Sequence, residues 1–88
     1  MKVLKFGAIW CPACLVMRPI FKKIEAEMPE LVVENYDYDM DSETVSSWEI
    51  GRKLPVYIFV DNNGNEITRL IGEKKKEEII EVINNCKE

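Results

Sequence analysis

The sequence predicts an α/β fold in the order β-α-β-α-β-β-α, with a four-stranded mixed sheet and three helices. Three observations predict it. Short apolar stretches rich in β-branched and aromatic residues alternate with longer segments whose apolar residues recur at helical spacing. One strong turn signal, "DNNGN" (Asp61 to Asn65), joins two strand-like stretches with no helix between them. The chain of 88 residues suffices for one domain and not two, so one domain is expected over residues 1–88.

"VLKFGAI" (Val3 to Ile9) reads as a buried strand. A helix is expected from Pro12 to Met28, because Val16, Ile20, Ile24 and Met28 recur every four residues. Leu15, Met17 and Phe21 widen that stripe. Pro12 suits a first helical turn, where its missing N–H costs nothing. Pro19 lies in the interior and should bend the helix. "MPE" ends it, since the residue before a proline disfavours helical backbone.

"LVVENYDYD" (Leu31 to Asp39) reads as the second strand. Ser42 is expected to cap a short helix that carries Val45, Trp48 and Glu49 and stops at Gly51. Trp48 should pack that helix onto the core. "PVYIFVD" (Pro55 to Asp61) is the third strand, with Tyr57 and Phe59 on one face and Ile58 and Val60 on the other. "EITRLIG" (Glu66 to Gly72) returns antiparallel. The last helix runs from Lys74 to Asn85 and buries Ile79, Ile80, Val82, Ile83 and Cys86. On that face Cys86 is a small hydrophobe rather than a second redox centre. The first two strands should pair in parallel through a right-handed crossover, and the last two as a hairpin.

Charge narrows the function. Sixteen acidic residues face twelve basic ones and there is no histidine, so no basic stripe exists to follow a phosphate backbone. No apolar run approaches the roughly 20 residues of a membrane span. The opening "MKVLKFGAIWC" is broken by Lys5 and lacks the uninterrupted apolar core of a signal peptide, so a cytoplasmic setting is expected.

The chemistry concentrates in "AIWCPACLVMRP", Ala8 to Pro19. A structural zinc site wants four ligands, usually from two spaced pairs, and here one pair stands with one distant cysteine. A structural disulfide would close a very short loop and remove little entropy from the unfolded chain. A redox pair has a clearer physical basis. Cys11 falls at the turn into the helix, where free N–H groups and the macrodipole favour a thiolate. That thiolate can attack a substrate disulfide, and Cys14, three residues on, can attack the resulting mixed disulfide. A C-x-x-C pair beside a βαβ pattern is a redox signature.

These residues resemble the thioredoxin superfamily over nearly the whole chain, in a minimal, glutaredoxin-sized form without the extra N-terminal strand and helix of full-length thioredoxins. "WCPAC" stands where thioredoxins carry tryptophan, cysteine, glycine, proline, cysteine. Pro19 matches the proline that kinks the family's helix, and "RKLPVYIFVDNNGNE" resembles the segment that holds its cis-proline, strand and turn. Gly72 matches the glycine that ends its last strand. The resemblance implies a thioredoxin fold and reduction of protein disulfides, with Cys11 as nucleophile and Cys14 as resolving cysteine. It implies that Pro55 follows a cis bond and shapes the substrate groove. Leu54 then supplies backbone contacts, and Trp10 and Gly72 lie at the rim. It implies a monomer with no bound cofactor, fed electrons by a separate flavoprotein disulfide reductase. Two alternatives stay open: a glutaredoxin-like enzyme using glutathione, and a binding or metal-carrying module.

Four departures from the family pattern bear on function. Pro12-Ala13 replaces Gly-Pro between the cysteines, where residues tune the redox potential. Lys5 replaces the buried aspartate expected six residues before Cys11, and Asn35 replaces its lysine partner. A charged Lys5 near Cys14 would lower the Cys14 pKa and make the pair more oxidising; the alternative is that Lys5 runs to the sheet edge. Lys53 and Leu54 precede Pro55, which points to acidic partners. "RLIGEKKK" lacks the Gly-Gly-Asp segment with which glutaredoxins hold glutathione.

Overall fold

The computed structural model describes residues 1–87. Seven elements follow in the expected order: β1 (Lys2–Gly7), α1 (Pro12–Glu27), β2 (Val32–Asp37), α2 (Ser42–Ser47), β3 (Val56–Val60), β4 (Glu66–Ile71) and α3 (Lys76–Cys86). They form one sheet of order β2-β1-β3-β4. β1 and β2 are parallel, while β1–β3 and β3–β4 are antiparallel. The mixed sheet and three helices are as the sequence predicts.

The pleat of the two central strands sorts the core. Val3 of β1 and Tyr57 and Phe59 of β3 face α1 and α3, packing with Met17, Phe21, Ile24, Ile79, Ile83 and Cys86. Leu4, Phe6, Val56, Ile58 and Val60 face the other way and pack with Val45, Ile50 and Leu54. Every residue of β3 is buried, as expected for a central strand covered on both faces. Trp48 packs against this second cluster, and Cys86 lies in the first.

α1 departs from its expected stripe. The buried positions are Met17, Phe21 and Ile24, while Leu15 and Val16 are exposed. The face that packs starts from Cys14 and runs through 17, 21 and 24, so steps of three and four alternate. The helix continues through Pro19 to Glu27. β1 ends at Gly7 rather than Ile9, whose side chain is 81% exposed. Gly72 lies just beyond β4, with φ +87°.

α2 also begins and ends differently. Asp41, not Ser42, is its N-cap, and the Asp41 carboxylate accepts from the Asp37 N–H instead of capping the helix. The helix stops well before Gly51. Ile50 N–H donates to Val45 O and Glu49 N–H to Ser46 O, the paired bonds of a Schellman ending. Glu49 takes the left-handed position at φ +53°, where glycine would be expected. The buried pair Val45 and Ile50 closes the motif. Packing of Ile50 therefore decides the stop, and the backbone of Glu49 accommodates it.

The β3–β4 hairpin turn is locally encoded. Asp61 Oδ1 accepts from the N–H groups of Asn63 and Asn65, and Gly64 supplies φ +83°.

Replacing Glu49 by glycine should relieve the left-handed backbone penalty. The expected gain is about 0.5–1 kcal/mol, or several degrees in Tm, read by denaturant and thermal unfolding at unchanged m-value.

Candidate active site

The parallel and antiparallel pairings bring four chain ends to one edge of the sheet: the C-terminal ends of β1, β2 and β4 and the start of β3. Cys11 is the N-cap of α1, with extended backbone (φ −93°, ψ 112°). Pro12 follows in the first helical position, where no N–H is missed. The Cys14 N–H donates to Cys11 Sγ at 3.2 Å. A donor aimed at sulfur bonds a thiolate more strongly than a thiol. Cys11 Sγ also lies 3.7 Å from Leu54 O, in the loop before β3.

That loop carries the only cis bond among the described residues, Leu54–Pro55. Gly72 N–H donates to Pro55 O at 2.8 Å, which ties the end of β4 to the loop beside Cys11. The Lys53 stem lies against Gly72: a Cβ at residue 72 would stand 3.0 Å from Lys53 Cε. Cys11, Leu54, Pro55 and Gly72, far apart in sequence, thus meet at one place.

Trp10 stands on the other side of Cys11. Its Nε1–H donates to Asp39 Oδ2 at 2.7 Å, and its ring meets Tyr38 edge-on at 6.0 Å. The indole stays 53% exposed, held at the rim by these two contacts. Nothing in the sequence pointed to Asp39 as its partner, because the pairing depends on β2 lying beside β1.

The two cysteines are both free thiols and differ in setting. Cys11 is 5% exposed, whereas Cys14 is partly exposed. Cys14 lines a cleft of about 340 Å³ with Lys5, Gly7, Arg18 and Tyr57 among its walls. Gly7 makes room for it: a Cβ there would stand 3.3 Å from Cys14 Sγ. The sequence did not single out Gly7, although a glycine closing a central strand is itself a signal of close approach.

Burial pushes the Cys14 thiol up to about 11, and its hydrogen bond with the Cys11 side chain adds to the shift. The Ala8 backbone opposes the shift, the Cys11 charge adds to it, and Arg18, one helical turn away, opposes it. Lys5, expected near Cys14, lines the same cleft as that thiol. The net direction at Cys14 is upward, with Arg18 a cation that opposes it. Lys5 Nζ also sits 4.3 Å from the centroid of the Phe21 ring, a cation–π contact. Burial lowers the Lys5 pKa; Glu25 opposes that, Arg18 adds to it, and Cys14 opposes it. Tyr57, opposite Lys5 in the β1–β3 register, is pushed far up, first by burial and then by the charges of Cys14 and Cys11. Among the described residues, no group of three or more His, Cys, Asp or Glu side chains could hold a metal ion.

The Cys14 shift has a pH signature. The folded protein holds this proton above pH 9.0, where the unfolded chain has released it. Proton binding then favours the folded state less and less as pH rises. Compared with Cys14→Ser, the reduced wild type should lose stability between pH 9.0 and about 11. Urea midpoints of both proteins across that range check this; parallel curves would refute it.

Known proteins are similar to this chain in sequence and in fold. The thioredoxin family model matches residues 1–85. Thioredoxin H5 of Oryza sativa subsp. japonica is 39% identical over 70 residues, covering 80% of this chain and 50% of that protein. The thioredoxin of Chlamydia pneumoniae is 32% identical over 79 residues, covering 90% of this chain and 76% of that one. The chain spans about half the length of the rice relatives, 50% of Thioredoxin H5 and 56% of Thioredoxin H4-1. Among solved structures, thioredoxin NaTrxh of Nicotiana alata superposes with TM-score 0.90 at 25% identity, over 99% of this chain and 73% of its own. The match runs through the whole sheet and through the helix that Cys11 caps, and the chain belongs to the thioredoxin family.

Proposed function

We propose that this chain is a thiol-disulfide oxidoreductase that reduces protein disulfides through Cys11 and Cys14. One observation carries the reading: Cys11 caps a helix and receives the Cys14 N–H, while the Leu54–Pro55 loop stands against its sulfur. Membership of the thioredoxin family supports it.

The reaction follows from the two settings. The Cys11 thiolate attacks one sulfur of the substrate disulfide, and a Cys11–substrate disulfide forms as the other substrate sulfur leaves as a thiolate. Cys14 is still a thiol then, because its proton is held firmly in the free dithiol. Two of the causes that hold it, the hydrogen bond with Cys11 and the Cys11 charge, vanish once Cys11 is bonded to substrate. Cys14 then releases its proton and attacks Cys11 Sγ. The second substrate thiolate leaves, and the departing sulfurs take up protons. The balance is one substrate disulfide reduced to two thiols and one Cys11–Cys14 disulfide formed.

In this reading Pro55 and the Leu54 backbone shape the groove that receives the substrate chain, with Trp10 and Gly72 at its rim. Pro12 fixes the start of the helix that orients Cys11. Lys5 lies behind Cys14 and acts on the pair through the cleft rather than by contact with substrate. The two thiols carry the electrons, so the chemistry calls for no bound cofactor. A reducing compartment such as the cytoplasm and a flavoprotein disulfide reductase as donor fit a monomer that must be re-reduced after each cycle.

Variants of the two cysteines test the proposal. With dithiothreitol as electron source, the wild type should reduce insulin disulfides catalytically. Cys11→Ser should lose on the order of 10³-fold or more. Cys14→Ser should accumulate a covalent complex with substrate that excess reductant releases. Turnover by Cys11→Ser, or wild-type turnover by Cys14→Ser, would overturn the assignment.

A further inference from the structure

The sheet order places charge on either side of Cys11. Across the functional edge the strands run β2, β1, β3, β4. Asp37, Asp39 and Asp41 lie at the end of β2 and just after it. Trp10 and Cys11 follow β1. Arg52 and Lys53 precede β3, and Gly72, Lys74 and Lys75 follow β4. Glu73 is the one acid among the cations on that side. The edge is therefore acidic on the β2 side and basic on the β4 side, with the reactive sulfur between. Three strand spacings separate the flanks, about 14 Å, which an extended segment of four or five residues spans.

These charges are not spent within the chain. The four ion pairs among the described residues are Lys2–Glu34, Arg69–Glu66, Lys76–Glu27 and Lys87–Glu30. None uses Lys53, Arg52, Lys74, Asp37, Asp39 or Asp41. The aspartates accept only from uncharged donors: Asp41 from the Asp37 N–H, Asp37 from the N–H groups of Asp39 and Met40, and Asp39 from Trp10. Such bonds fix the carboxylates in place without an ion pair among the described residues. Lys5 and Arg18 line the same cleft as Asp37 and Asp41, which leaves Asp39 the aspartate outside it. Lys53, exposed, lies against Gly72. Its stem fills the space left by the missing side chain of Gly72, which itself bonds Pro55 O. The cation thus lies beside the cis-proline loop.

We propose that this edge selects disulfide-bearing polypeptides of opposite polarity, with an acidic side chain toward Lys53 and Gly72 and a cationic one toward Trp10 and Asp39. The inference rests on the oxidoreductase reading above. Opposite charges flanking the cysteine of the substrate speed its encounter and set the direction in which its chain crosses the groove.

Three disulfide-linked peptides test this. One carries Glu before and Lys after its cysteine, one carries the reverse order, and one carries Ser at both places. Each is mixed with pre-reduced protein, and tryptophan fluorescence follows a single turnover. One charged order should react about fivefold faster than the other at low salt. The ratio should fall toward one at high salt, and Lys53→Glu should shrink it at low salt. Equal rates for the two orders, while the neutral peptide is reduced, overturn the inference alone. A ratio that resists salt, or that Lys53→Glu leaves intact, overturns it as well. If the wild type reduces none of the three, the oxidoreductase reading fails and the inference fails with it.

Discussion

Met17, Phe21 and Ile24 seat α1 on the face of the sheet built by Val3, Tyr57 and Phe59, and all six side chains are almost wholly out of water. Phe21 stacks on Tyr57 at 5.1 Å, which sets the rotation of the helix about its axis as well as its distance from the sheet. The same face, one turn earlier, carries Cys14 to Gly7. With Cys14 placed, the first turn of α1 has one position for Cys11, and its sulfur meets the loop before Pro55. Every polar contact at the pair follows from that apolar seating. A rigid scaffold beneath a reactive turn holds the two sulfurs in a geometry that loops alone would not maintain.

The two faces of the sheet divide the labour. The face under α1 and α3 fixes the cysteines. The face under α2 holds Leu54, Val56 and Ile50 with Phe6, and so positions the cis-proline loop from below. β1 and β3 contribute to both clusters because their residues alternate between the faces. The helix and the loop that meet at Cys11 are therefore anchored on opposite sides of the same two strands. That shared anchor explains how segments more than forty residues apart hold a contact of 3.7 Å.

Electrostatics around the pair are asymmetric for a physical reason. Cys14 lies in a cleft that withholds water from its thiolate, while Cys11 receives a backbone donor at a helix start. Burial outweighs the cations nearby in setting Cys14, because desolvation acts on the whole charge and the exposed Arg18 is screened by solvent. Lys5 Nζ stands over the Phe21 ring, and its charge also interacts with that of Cys14.

Much of this was legible in the chain itself. Strand alternation, the "DNNGN" turn and the C-x-x-C spacing each rest on local backbone preference or on neighbours within one helical turn, so they survive as read. The element order and the cysteine pair depend on nothing else. The register of α1 was not legible, because seven apolar positions lie around that helix and only contact with Tyr57 and Val3 selects among them. The end of α2 at Glu49 was hidden too, since burial of Ile50 overrides the preference for glycine. The partners of Trp10, Lys5 and Lys53 are Asp39, Phe21 and Gly72, separated by 16 to 29 residues. Such contacts exist only once the strands are ordered side by side. The sequence by itself determined which elements form and where the reactive sulfurs sit. The tertiary structure decided what surrounds them, because desolvation and long-range pairing are properties of the packed sheet and not of any segment.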